Sequence, residues 1–237
     1  INSSTQYVDI LPNISAQLHF TDQLKLRLSR TQALSRPGFN QINPTLTIQQ
    51  GTIGGNISYT GNGGNPNLQP IRSDNYDASL EYYFSRTGSV SVAGFYRKIN
   101  GFINSLPQIV NVQPFGDILV YRPSNAGSGT IKGIEVAGTT FFDFLPGIWS
   151  GFGVQANFTY VDSKAPSPAA TDNEGNALIV PLEKLSKYSY NLMGFYDKGP
   201  ISARVAYNWR SKYVVTTRGN GSGELPIFNA ARGQVDA

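Results

Sequence analysis

Apolar and polar residues alternate with a period of two along much of the chain. Residues 14–20 set Ile14, Ala16, Leu18 and Phe20 against Ser15, Gln17 and His19. Residues 24–29 set Leu24, Leu26 and Leu28 against Lys25, Arg27 and Ser29. In 76–84, Tyr76, Ala78, Leu80, Tyr82 and Phe84 alternate with Asp77, Ser79, Glu81 and Tyr83. The same rhythm runs from Phe152 to Tyr160 and from Ile201 to Arg210. Such alternation marks strands with one apolar and one polar face. Three further strands, about 89–103, 130–144 and 185–197, alternate less cleanly. No segment carries a 3.6-residue period. The pattern predicts an all-β, antiparallel chain of eight strands.

The connections alternate too. Thr21-Asp22-Gln23, Ser85-Arg86-Thr87-Gly88, the segment around Leu145-Pro146-Gly147, and Asp197-Lys198-Gly199-Pro200 read as tight hairpin turns. The other connections, about 35–71, 104–129, 163–184 and 214–229, are long and rich in Gly, Asn, Pro and Ser. They read as structureless loops. Short turns therefore gather at one end of the sheet and long loops at the other. A soluble β-sandwich has no reason to sort its loops this way. A transmembrane β-barrel has one: short periplasmic turns and long extracellular loops. In that reading the apolar face meets lipid, and Lys25, Arg27, Glu81, Arg204 and Arg210 line a wet lumen. Aromatics near strand ends, such as Tyr82, Phe84, Phe142, Phe144, Tyr207 and Trp209, suit the membrane interfaces.

Composition narrows the chemistry. The 237 residues include no Cys and one His, which excludes a disulfide framework and Cys- or His-rich metal sites. The mean hydropathy is slightly negative, and no apolar run is long enough for a helical span. Charged residues make up 14 %, a low share that suits a lipid-facing surface. The net charge of +4 is spread out, without the clustered stripe that nucleic-acid binding uses.

Catalytic constellations are missing from the pattern. His19 sits on a polar face beside a turn, and no Gly-x-Ser-x-Gly elbow accompanies it. Asp77 and Glu81 share a strand face but stand about 13 Å apart, too far for paired-carboxylate hydrolysis without help from another strand. Gly61–Gly64 lacks the Gly-Lys-Ser/Thr continuation of a phosphate loop. Asn65–Pro70 reads as a rigid, extended lead-in to the next strand. No enzyme activity and no cofactor are expected.

Several stretches resemble the barrel of TonB-dependent outer-membrane receptors. They are "LKLRLSRTQALSRPGF" at Leu24–Phe39, "GNPNLQPIRSDNY" at Gly64–Tyr76, "DASLEYYFSRTGSVSVAGFYRKINGFI" at Asp77–Ile103 and "GTIKGIEVAGTTFF" at Gly129–Phe142. They follow family order over most of 12–144, while 145–237 match in general pattern. The match is strongest for the Gram-negative branch in which sugar uptake is frequent. The resemblance implies an outer-membrane transport receptor. In that family a plug domain fills a barrel of about 22 strands, the range of plugged outer-membrane transporters. A TonB-type protein transduces energy through the N-terminal part, and a small-molecule ligand is imported. Residues 1–237 would then be part of one barrel domain, cut at both ends, with the plug and remaining strands elsewhere. Residues 227–237 read as the run-in to a ninth strand.

The resemblance also puts ligand recognition in the loops and upper lumen. Aromatic platforms ringed by amides and charges suit an oligosaccharide or siderophore-type ligand. The loop candidates are Tyr59, Asn62, Asn65, Phe115, Asp117, Tyr121, Arg122, Asp172, Asn173, Tyr213 and Arg218. Two other readings compete: a small autonomous outer-membrane barrel or adhesin, and a soluble β-sandwich carbohydrate-binding module.

Overall fold

The computed structural model describes residues 8–172, 174, 176–217 and 225–237. In chain order the strands are β1 (Asn13–His19), β2 (Leu24–Ser35), β3 (Leu46–Ile53), β4 (Asn56–Gly63) and β5 (Ile71–Tyr82). There follow β6 (Ser89–Val112), β7 (Gly116–Phe141), β8 (Phe152–Thr171), β9 (Ala177–Val180) and β10 (Tyr188–Lys198). The last are β11 (Ile201–Arg210), β12 (Tyr213–Thr216), β13 (Ile227–Asn229) and β14 (Arg232–Asp236). One helical turn, α1 (Phe39–Ile42), and a 3₁₀ turn (Gly147–Gly151) interrupt them.

The wall is a single antiparallel sheet in the order β1-β2-β5-β6-β7-β8-β10-β11-β14. It is open, with β1 and β14 at its edges. Nine strands form this path rather than the expected eight, because the run-in at 227–237 includes a true strand, β14, paired with β11. The fold class is as expected: all-β and antiparallel.

Register explains the sequence pattern. Leu26, Leu80, Val92, Val136, Phe158, Tyr190 and Trp209 stand side by side across the sheet. One residue along each strand lies a row running from Lys25 and Glu81 through Asn157, Asn191 and Asn208 to Gln234. Adjacent strand positions point to opposite faces, so one row is wholly apolar and the next is mostly polar. The apolar row is solvent-accessible: Leu80 is 44 % exposed, Val92 47 % and Phe158 41 %. A second sheet packed on this face would have covered it, so the β-sandwich reading fails on geometry.

Wall strands pack through aromatic rings laid over glycines. Phe95 lies on the polar face across from Gly133, where a Cβ would come within 2.5 Å of its ring. Phe195 covers Gly153 in the same way and meets Phe141 edge-on at 4.8 Å.

The connections need correction. At the turn end, β7 and β8 are joined by ten residues containing the 3₁₀ turn, not by a tight hairpin at Leu145-Pro146-Gly147. At the loop end, segments expected to be structureless are largely strand. Residues 35–71 hold α1 and the β3–β4 hairpin, and 104–129 are the upper half of a β6–β7 hairpin with strands of 24 and 26 residues. Residues 163–184 carry the end of β8 and β9, and 214–229 hold most of the β12–β13 pair. Gly and Asn obscure the alternation there, but the backbone groups still pair with a neighbouring strand. Asn65–Pro70 contains a turn, with Leu68 N–H bonded to Asn65 C=O at 3.3 Å, instead of running extended.

Tight packing is concentrated at the loop end. Leu68, Ile118, Val120 and Ala165 are buried there. β4 runs parallel to β7, pairing Thr60 with Leu119 and Asn62 with Tyr121. Gly61 makes that approach possible, since a Cβ would lie 2.9 Å from Val120 Cγ2.

Candidate functional site

The candidate residues fall into separate groups on the polar face and at the loop end. On the polar face, Arg27 Nε donates to Glu81 Oε1 at 2.7 Å. The other Glu81 oxygen accepts from the Tyr83 hydroxyl at 2.9 Å, and this bond to a carboxylate pushes the Tyr83 phenol pKa upward. Lys25 Nζ sits 5.0 Å from the Tyr83 ring. These four residues form a charged cluster near the turn end. Asn191 Nδ2 donates to Asn157 Oδ1 at 3.1 Å, so part of the polar row is linked side chain to side chain. Register places Arg204 opposite Phe195 and Arg210 opposite Ser189 on this same face. All five residues expected to line a lumen thus share the polar face. His19 is there as well, within 2.7 Å of Gln17 Nε2.

At the loop end, many of the expected ligand residues lie on strands rather than in loops. Tyr59 and Asn62 are on β4, Asp117, Tyr121 and Arg122 on β7, and Tyr213 on β12. The parallel β4–β7 contact gathers several of them. Tyr59 and Phe115 bring their rings to 4.7 Å, and Asn62 stands beside Tyr121. Asn65 Nδ2 donates to Pro123 C=O at 3.1 Å, tying this group to β7. Arg122 Nε is buried without a hydrogen-bond partner among the described residues. Asp117 accepts from Asn111 Nδ2 at 2.7 Å and braces the hairpin tip.

The remaining candidates stand apart. Asp172 accepts from the backbone N–H groups of Glu174 and Asn176, both at 2.9 Å, and so shapes a turn. Tyr213 belongs to another cluster. Its hydroxyl accepts from Asn229 Nδ2 at 2.7 Å and from Arg210 at 3.3 Å, and the Arg210 guanidinium lies 4.8 Å from its ring. Lumen candidate Arg210 and loop candidate Tyr213 are therefore one unit. Asn173 and Arg218 lie outside the described residues.

Sequence reasoning missed a buried polar network. Asn104 Nδ2 donates to Ser167 C=O at 2.9 Å, and the Ser167 and Thr217 hydroxyls are 2.6 Å apart. Glu183 Oε1 accepts from both Thr217 N–H, at 2.7 Å, and the Thr217 hydroxyl, at 3.1 Å. Asn104, Ser167 and Thr217 are all buried. The network ties β6, β8 and the segment after β12 together. Its members are ordinary loop polars far apart in the chain, so no local pattern announces them.

These groups suit recognition. Two aromatic rings in tilted contact, several amides and an arginine with an unused buried donor can hold a polar ligand with apolar faces. Among the described residues, no three His, Asp or Glu side chains converge as metal ligands.

A family profile described as "TonB dependent receptor-like, beta-barrel" matches residues 2–237. No curated protein matches the chain. Among solved structures, a mutant of the ferric enterobactin receptor PfeA from Pseudomonas aeruginosa superposes with a TM-score of 0.67 at 18 % identity, covering 95 % of this chain and 31 % of that one. The siderophore receptor PirA from Acinetobacter baumannii gives 0.64 at 17 % identity, covering 95 % and 33 %. The copper transporter OprC gives 0.60 at 14 % identity, covering 94 % and 30 %. At these identities the likeness is one of fold. The chain spans about a third of each of these proteins.

Proposed function

Since the chain belongs to the TonB-dependent receptor-like β-barrel family, whose members are transport receptors of the Gram-negative outer membrane, we propose that it builds part of the wall and ligand-binding end of such a receptor. The receptor binds a small extracellular ligand, of oligosaccharide or siderophore type, and imports it with energy from a TonB-type partner. The sorting of rows carries this reading. An exposed apolar face backs directly onto a polar one, and the long connections at one end fold into a packed, polar-lined cap. Lipid suits the first face. A plug domain and a passing ligand suit the second.

In this reading Tyr59, Phe115 and Arg122, on the side of β4 and β7 that carries Val120, form the primary contact group, and Asn62 and Tyr121 form a pair on the opposite side. Arg210 and Tyr213 form a second, and Asn65, Asp117 and Asp172 brace the scaffold. Asn173 and Arg218 stay as loop contacts from the sequence alone. Lys25, Arg27, Glu81 and Arg204 line the passage against the plug.

The test uses cells carrying the full receptor gene or a clean deletion. Uptake of radiolabelled ferric siderophores and malto-oligosaccharides is measured with and without a proton-gradient uncoupler. Receptor-dependent, uncoupler-sensitive uptake of either class supports the proposal. Uptake that persists after uncoupling removes the energy-coupling part, and uptake independent of the gene for both classes removes the transport reading.

A further inference from the structure

On β11 and β14 the polar face carries two arginines side by side. Arg210 stands directly opposite Arg232 across the ladder. Opposed residues in an antiparallel ladder lie about 5 Å apart, and like charges there repel each other. On the other side of the sheet Arg27 meets Glu81 at 2.7 Å. Among the described residues, neither Arg210 nor Arg232 forms an ion pair. Both are exposed.

The acids of this part of the face are occupied or distant. Asp236 accepts from Asn208 Nδ2 at 3.1 Å and from Gln234 Nε2 at 2.8 Å. On the row of the arginines itself, Glu135 is followed by Thr159, Ser189 and then Arg210. Three strand spacings, about 14 Å, separate that carboxylate from Arg210. Tyr213 orients Arg210. The guanidinium lies 4.8 Å from the Tyr213 ring and donates to its hydroxyl at 3.3 Å. An arginine carries five N–H donors, so most of them remain for a ligand.

The neighbouring row is made of amides. Asn157, Asn191, Asn208 and Gln234 stand side by side across β8, β10, β11 and β14. Asp236 engages the amide nitrogens of Asn208 and Gln234, which leaves their oxygens to accept from hydroxyl groups. Between the two rows lies a hollow of about 280 Å³, lined by Ser189, Asn191, Asn208, Arg210, Arg232 and Gln234. A carboxylate seated between the two guanidinium groups takes charge-assisted bonds from both and offsets their mutual repulsion. The amides beside it suit a ligand that carries hydroxyls next to its carboxylate.

We propose that Arg210 and Arg232 bind the carboxylate of an acidic sugar of the uronate class, while Asn191, Asn208 and Gln234 take its hydroxyls. The site rests on the transport reading given above and narrows its oligosaccharide class to anionic members. It adds Arg232 to the contact residues and gives Arg210 a defined group to hold.

The test uses the full receptor in nonionic detergent and titration calorimetry with trigalacturonate as the probe. The fully methyl-esterified trimer is the comparison. The wild type is expected to bind the acid at least about tenfold more tightly than the ester. The double variant Arg210→Gln/Arg232→Gln is expected to lose that preference, and Arg232→Gln alone to reduce it at least about threefold. Equal binding of acid and ester by the wild type overturns the proposal, and so does binding of neither. A double variant that keeps the preference also overturns it; if that variant melts lower without ligand, the arginines hold a carboxylate of the receptor itself. Acetate that displaces the trimer at equal molar concentration overturns it as well, by making the site one for any carboxylate. Should the double variant misfold, the wild-type comparison and the single variant decide. Preference for the acid without gene-dependent, uncoupler-sensitive uptake of the trimer defeats the transport reading and leaves the site. Such uptake with equal binding of acid and ester defeats only the site.

Discussion

Gly101 and Gly127 face each other across the β6–β7 hairpin, and both have positive φ, 76° and 40°. The pairs Asn100 with Ser128 and Phe102 with Ala126 flank them. Gly101 is the first residue of β6 beyond its last β5 pair, Arg72 with Asn100. Gly127 lies just past the end of the β7–β8 ladder at Thr130 and Lys164. The two glycines thus stand where the hairpin leaves the wall. Beyond them roughly 35 Å of paired strand projects into the loop end and meets β4. Asn125 fastens the junction, with its Nδ2 donating to Gly101 C=O at 3.1 Å and to Gln69 C=O at 2.9 Å.

A side chain at this junction should loosen the upper hairpin while sparing the wall. Gly101→Ala imposes a left-handed conformation on an L residue, at a cost of about 1–2 kcal/mol. Hydrogen exchange is expected to accelerate across 102–126 and to stay unchanged in β5 and the lower half of β6. Equal acceleration in the wall would remove the junction role.

Gly133 should be intolerant of any side chain. A Cβ there would lie 2.2 Å from Tyr160 C=O, a backbone atom that cannot swing aside, and 2.5 Å from the Phe95 ring. Gly133→Ala is expected to destabilise the wall by about 1–3 kcal/mol. The heat-modifiable, folded fraction of receptor on gels should fall. The double variant Gly133→Ala/Phe95→Leu relieves only the ring clash and should recover little.

Membrane placement makes the two faces respond oppositely to charge. Leu192 is 50 % exposed on the apolar face, between Ala156 and Tyr207. In lipid, Leu192→Arg is expected to cost about 2–4 kcal/mol. Its neighbour Asn191 points to the polar face, and Asn191→Arg should leave stability near wild type. Urea unfolding of the receptor in phospholipid vesicles measures both. Indifference to Leu192→Arg would mean that this face does not meet lipid.

Glu183 should matter for the loop end through its acceptor oxygen more than through its charge. Removing it in Glu183→Ala strands the Thr217 N–H in a buried setting, at a cost of about 1–3 kcal/mol. Glu183→Gln keeps an acceptor and should lose less. Limited proteolysis of the loop end is expected to rank wild type, Gln and Ala in that order of resistance.

The sequence by itself determined the wall. Where one face is apolar and the other polar, every residue reports its side, so Leu26 and Lys25, or Leu192 and Asn191, declare the strand and its orientation. The alternation of short and long connections likewise located the two ends. Only the tertiary structure decided the loop end. There the hairpins lie with water or other hairpins on both sides, and the two-residue period fades although the backbone stays paired. What organises that end is contact between residues far apart in the chain: Gly61 against Val120, Tyr59 against Phe115, Asn104 with Ser167, Thr217 with Glu183. Such pairs leave no periodic trace, because each is selected by a distant partner rather than by its neighbours along the strand.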